Sequence, residues 1–149
     1  MNNKNWTVYL SGEIHSDWRE RIMQQTQARK LPVEFTTPVT DHEASDMCGV
    51  RILGDEEKSF WQDRKGSSIN AIRTTKLISD ADLVVVRFGP KYKQWNAAFD
   101  AGYAAALGKS MVTLHDEEHD HALKEVDAAA KATARTPEQV VDILEYVLN

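Results

Sequence analysis

The 149-residue sequence lacks most of the devices that staple or anchor a chain. Cys48 is the only cysteine, so no disulfide forms within the chain and nothing marks an oxidising compartment. No apolar run approaches the roughly 20 residues of a membrane span. The start, Met1 to Leu10, has no long apolar stretch or cleavage site of a signal peptide, so a cytoplasmic location is expected. Positive charge is also short: 18 Lys and Arg stand against 23 Asp and Glu, a net −5. That balance offers no footprint for a nucleic acid polymer or an anionic membrane. The histidines and acids of His115 to His121 match no compact zinc spacing and read as a polar loop without metal.

What is present suits a core that needs no staples. Hydrophobic residues make up 42% and charged residues 28%, an ordinary globular balance. Trp6 to Leu10, Val33 to Thr37, Asp82 to Gly89 and Ser110 to Leu114 read as strands, with a short fifth at Lys131 to Arg135. The unbroken Leu83-Val-Val-Val86 suits a central strand covered on both faces. Between the strands lie helical patterns. One begins after Ser16-Asp17 and another at Ser67-Ser68. A third starts near Asn96 and stops at Gly108, and a weak one covers His121 to Ala130. The last opens on Thr136-Pro137-Glu138-Gln139, a capping box with proline at the first helical position. Alternation of this kind implies an α/β fold: one doubly wound, flavodoxin-like or Rossmann-like domain over residues 1–149. Its sheet would be five-stranded and parallel, in the order 2-1-3-4-5. Residues 38–66, polar and dotted with three glycines, read as an irregular segment covering the site.

In such a fold a ligand sits beyond the carboxyl ends of the strands, where the order reverses. The loop after the first strand, Ser11-Gly12-Glu13-Ile14-His15-Ser16, the stretch Pro90 to Asp100 after the third, and the loop after the fourth are therefore the places where chemistry is expected. Gly12 lets a ligand approach the backbone. Asp100 shares a helical stripe with Tyr103, Ala104 and Leu107, and an acid on an apolar stripe needs a reason. His42, Ser45 and Asp46 offer polar contacts or a proton donor, and Asp63, Asn70 and Arg73 can converge from the helix start.

Two of these segments resemble a known superfamily. Tyr9-Leu10-Ser11-Gly12 is similar to the first-strand signature of nucleoside 2-deoxyribosyltransferases, and Asp100-Ala101-Gly102-Tyr103-Ala104, running on to Gly108-Lys109, to their nucleophile helix. Over nearly its full length the chain resembles the YtoQ family grouped with them. The shared features include Tyr9 to Ser16, the His42/Ser45-Asp46 pair, Ile69-Asn70 with Arg73-Thr74, and Phe88 to Asn96. The resemblance implies a transferase or hydrolase acting on an N-glycosidic bond. Asp100 stands at the position of a nucleophilic glutamate, which is one methylene longer. Arg73 and Thr74 replace an acid that works near the leaving base, Glu13 replaces a common proline, and Asn96 replaces a small residue. Asp100 would attack, Glu13 or Asp46 would handle the proton, and Tyr9, Trp95 and Asn96 would hold sugar and base. Gly12, His15, His42, Asn70, Arg73, Lys93 and Tyr103 complete the expected binding set. No cofactor is implied, and members often form homo-oligomers, a dimer or larger. The alternative is a module that binds a nucleotide or nucleotide-sugar without turnover, supported by Lys91, Lys93 and Arg73.

Overall fold

A computed structural model describes residues 4–91 and 94–149. Five parallel strands form one sheet: β1 (Trp6–Gly12), β2 (Val33–Thr36), β3 (Leu83–Arg87), β4 (Ser110–Leu114) and β5 (Ala132–Ala134). Their order is β2-β1-β3-β4-β5, as the strand–helix alternation implies. The helices are α1 (Trp18–Ala28), α2 (His42–Leu53), α3 (Ser59–Asp80), α4 (Trp95–Ala106), α5 (Lys124–Ala129) and α6 (Pro137–Leu148). None is long and apolar enough to cross a membrane, among the described residues.

Period-two alternation along the strands splits the core into two layers. Val8, Leu10, Leu83, Val85, Val112 and Leu114 turn to one face, where Trp18 and Ile22 of α1 and Val140, Val141 and Leu144 of α6 cover them. Tyr9, Val84, Val86 and Met111 turn to the other, against Ile78 of α3 and the alanine row Ala97, Ala101, Ala104 of α4. Each large aliphatic side chain so buried contributes about 1.5–3 kcal/mol. The small residues of α4 let that helix lie close on β1 and β3, which brings Asp100 to the sheet.

Several termini follow the sequence signals. The Thr136 side chain accepts from Gln139 N with Pro137 at the first helical position, and Gly108 adopts φ +71° just beyond α4. Residues 38–66, however, are mostly helical rather than irregular. Asp41 caps α2 by accepting from Ala44 N at 2.9 Å, and α3 starts at Ser59, eight residues before the expected Ser67. The reason lies in the glycines. A Cβ on Gly49 would sit 2.4 Å from Gly66 N, so these two glycines mark where α2 and α3 touch backbone to backbone. Composition suggested a break; packing uses the same residues for close approach.

Candidate active site

The ends of β1 and β3 are drawn together by Gly12. It pairs with Arg87 at φ +109°, and a Cβ there would lie 2.2 Å from Arg87 O. Glu13 N then donates to Arg87 O at 3.1 Å. Its carbonyl accepts from Trp18 Nε1 at 2.7 Å and Arg19 Nη1 at 2.6 Å. The Arg19 guanidinium also donates to Leu10 O and Gly12 O and stacks on Trp18, 4.4 Å from the ring centroid. Burial pulls its pKa down to about 10 against the pull of nearby acids; the group stays charged near neutrality and fixes three carbonyls at the end of β1 and the start of the following loop. Arg19 lies outside the expected set; its signal in the sequence is a charged residue next to the buried Trp18.

Tyr9 and Ser11 share the sheet face that meets α4. Ser11 Oγ donates to Asp100 Oδ2 at 2.7 Å. Burial raises the Asp100 pKa above the ordinary aspartate value, and the Ser11 bond opposes the rise. The aspartate is half-buried and flanks the alanine row instead of standing in it. Beneath lies Tyr9, fully buried, its hydroxyl making no hydrogen bond of normal geometry. Burial first, then the charge of Asp100, push the phenol up to about 12, while Thr74, Arg19 and Arg73 pull the other way. Tyr9 is thus a floor for the acid and is shielded from solvent. Ser11, the direct partner of Asp100, was absent from the expected set, although the i, i+2 spacing from Tyr9 placed it on the same face.

Glu13 is also buried. Its carboxylate accepts from His15 N and Ser16 Oγ, closing the turn into α1. Its side chain lies over Gly89, where a Cβ would come 2.6 Å from Glu13 Cγ. Gly89 N in turn donates to Gln94 Oε1 at 3.1 Å. These bonds give Glu13 a local structural task.

Across the crevice, His42 is the first residue of α2, and its Nε2 lies 3.1 Å from Asp46 Oδ2. Its ring centroid is 6.2 Å from that of His15, so the start of α2 reaches the loop after β1. Arg73 Nη1 donates to Thr37 O at 2.6 Å, tying α3 to the exit of β2. Asn70 Nδ2 donates to Ser45 O and Oγ, both at 3.1 Å; that nitrogen joins α3 to α2. Half-buried Cys48 faces Gly66 O in the same contact, with Sγ at 3.7 Å. Trp95 and Asn96 are exposed in the first turn of α4, and Tyr103 is half-buried two turns on. Lys93 lies outside the described residues. Two surface hollows occur elsewhere, about 310 Å³ beside Trp61 and Ile72 and about 450 Å³ beside Met23 and Phe35; neither touches Asp100.

The stretch 115–121 departs from the expected polar loop at its first residue. His115 is fully buried. Its Nε2 lies 2.8 Å from Asp127 Oδ2, and its Nδ1 2.8 Å from Asp116 O. Thr113 Oγ1 donates to Asp127 Oδ1 at 2.8 Å. Donor atoms of His115, Asp120 and Asp127 fall within 4.8 Å of one another. Asp120, however, is held by Arg135 through both oxygens, at 2.6 and 3.0 Å. The cluster pins the chain after β4 onto the sheet.

This geometry can be set beside known proteins. The sequence model of the family described as "Nucleoside 2-deoxyribosyltransferase YtoQ" matches residues 9–148. The uncharacterized protein YtoQ of Bacillus subtilis (strain 168) is 44% identical over 142 residues, 95% of this chain and 96% of that one. A conserved protein of Enterococcus faecalis V583 shares the fold with a TM-score of 0.66 and 16% identity, covering 97% of this chain and 99% of its own. A 2-deoxyribosyltransferase of Bacillus psychrosaccharolyticus superposes with a TM-score of 0.55 at 16% identity, covering 91% and 90%. With the family model spanning the site and its scaffold, the chain belongs to the nucleoside 2-deoxyribosyltransferase YtoQ family.

Proposed function

We propose that the protein cleaves or transfers the N-glycosidic bond of a nucleoside, with Asp100 as the attacking carboxylate. The observation that carries this reading is the Ser11–Asp100 pair beside Gly12, at the point where the strand order reverses. A carboxylate held half-buried there, at a cost in desolvation, is what a nucleophile at a sugar carbon requires. Its oxygen would bond the anomeric carbon as the carbon–nitrogen bond breaks, and a second base or water would then release the sugar. The aspartate is shorter than the glutamate of the wider superfamily, and the alanine row of α4 compensates by bringing the helix backbone close to β1. Trp95, Asn96, His15 and Tyr103 would hold sugar and base. No cofactor is required by this chemistry, and assembly of two or more copies belongs to the same reading.

Incubation with 2′-deoxynucleosides and free bases, followed by chromatography, tests it. Exchange or hydrolysis that disappears in Asp100→Ala supports the proposal; absence of turnover over a range of bases removes it. The second reading is a nucleotide-binding module without turnover. It draws on exposed Lys91 and on Arg73, one nitrogen of which already serves Thr37 O. In that case thermal shifts should come from phosphorylated ligands and fade with salt.

A further inference from the structure

We infer that His42, oriented by Asp46, is the acid that protonates the departing base; the inference rests on the glycosyl-transfer reading above. A nucleobase leaves poorly as an anion, and a positioned proton donor typically speeds such a step by about 10²–10⁴-fold. The other titratable groups singled out on this side of the fold are poor donors. Glu13 spends its carboxylate on His15 N and Ser16 Oγ. The Tyr9 hydroxyl is sealed inside the core. Arg73 carries a guanidinium, which does not give up its proton under ordinary conditions.

His42 is differently placed. Its side chain is 70% exposed, and the start of α2 holds its ring within 6.2 Å of the His15 ring. His15 belongs to the loop that continues from Ser11, the partner of Asp100. The position is built in four places: the Asp41 cap, the Gly49–Gly66 crossing, the Asn70–Ser45 bond and the Arg73–Thr37 bond. His42 is thus linked through the His15 ring, His15 N and the Glu13 carboxylate to the strand end that carries Ser11, the partner of Asp100. Asp46 engages Nε2, which selects the tautomer and leaves Nδ1 as the working nitrogen.

The step balances. The Asp100 oxygen forms a bond to the anomeric carbon, and the electron pair of the carbon–nitrogen bond passes to the base. The proton on Nδ1 of the His42 imidazolium moves to a ring nitrogen of that base. In the second half, the nitrogen of the incoming base or the oxygen of water bonds the anomeric carbon, neutral His42 takes its proton, and the electron pair of the carbon–oxygen ester bond returns to the Asp100 carboxylate.

The test compares two substrates of the full-length protein. 2′-Deoxyadenosine needs a proton on its leaving base; 7-methyl-2′-deoxyguanosine carries a cationic base that departs neutral without one. His42→Asn should lower kcat/KM for deoxyadenosine by about a hundredfold or more and for the methylated substrate by far less. Asp46→Asn should give the same pattern, more weakly. Equal losses on both substrates, or no loss on either, would overturn the acid role while leaving the nucleophile in place. A wild-type protein that turns over neither substrate would bring down the glycosyl-transfer reading itself, and this inference with it. Melting curves of both variants, which alter exposed side chains, confirm that the fold is intact.

Discussion

Ser11 Oγ and Asp100 Oδ2 meet at 2.7 Å across 89 positions of sequence, joining the end of β1 to the second turn of α4. The bond favours the ionised carboxylate, and burial works against it. Removing the hydroxyl in Ser11→Ala leaves burial unopposed, so the Asp100 pKa rises further. The acidic limb of the pH–rate profile should move to higher pH. At neutral pH, kcat/KM should fall about tenfold, the size of one lost hydrogen bond to a charge. A profile superimposable on wild type would detach Ser11 from the chemistry.

Asp100 is also a liability for the fold. A carboxyl whose folded pKa lies above its unfolded value supports stability below the unfolded pKa, and loses that support as pH rises through the folded one. Asp100→Asn keeps an acceptor for Ser11 without the charge. It should melt above wild type at neutral pH, with the difference shrinking as the medium is acidified through the raised folded pKa toward the ordinary aspartate value. Activity should drop by about a thousandfold or more, as expected for loss of a nucleophile.

Tyr9 titrates in the opposite region of pH. Its phenol is pushed up to about 12 from 10.0, so the neutral form is the one the fold accepts. Stability should be intact below pH 10 and decline between about 10 and 12 as unfolded chains ionise first. Tyr9→Phe removes a hydroxyl that lacks a good partner and should flatten that alkaline loss. Its stability near neutrality should equal or exceed wild type by up to about 1 kcal/mol. Denaturant melts across this range decide it.

Glycine positions give a mechanical check. Gly12→Ala places a methyl 2.2 Å from Arg87 O, and Gly49→Ala places one 2.4 Å from Gly66 N. Each should cost about 1–3 kcal/mol or more, since the obstructing atoms are backbone. Gly54→Ala meets no atom within 4 Å and should cost less, through its φ of +98° alone. Equal destabilisation at all three sites would contradict the close crossings.

The His115 network is a matter of stability. Its ring is fully buried against Asp127, so His115→Ala opens a void and takes one of its partners from the carboxylate, which keeps Thr113 Oγ1. A loss of about 3–5 kcal/mol is expected for breaking such a pair. Asp127→Asn, which keeps an acceptor, should lose less.

The sheet order and the start of α6 were legible because they rest on local rules: apolar strand runs, a capping threonine, a proline at the first turn. The α2–α3 hairpin was hidden because its glycines serve a contact between helices, and a glycine in sequence looks the same whether it bends the chain or lets two backbones touch. His115 looked solvated because four acids crowd its neighbourhood, yet its partner Asp127 comes from α5, outside that run. For the candidate site, the placement of Asp100 near the end of β1 could be read from the strand pattern and the family resemblance. The actual partner of Asp100, Ser11, depended on strand alternation, and the anchoring of Glu13 depended on backbone geometry that no spacing records.

Arg19 grips the carbonyls of Leu10, Gly12 and Glu13 from inside the protein. The turn that faces the crevice is therefore shaped before anything enters it. An arriving molecule meets a ready-made rim, and little of its attraction is spent on ordering a wandering segment. Ligand-free and occupied forms should trace the same path through these residues, so selectivity must come from whatever projects off the rim.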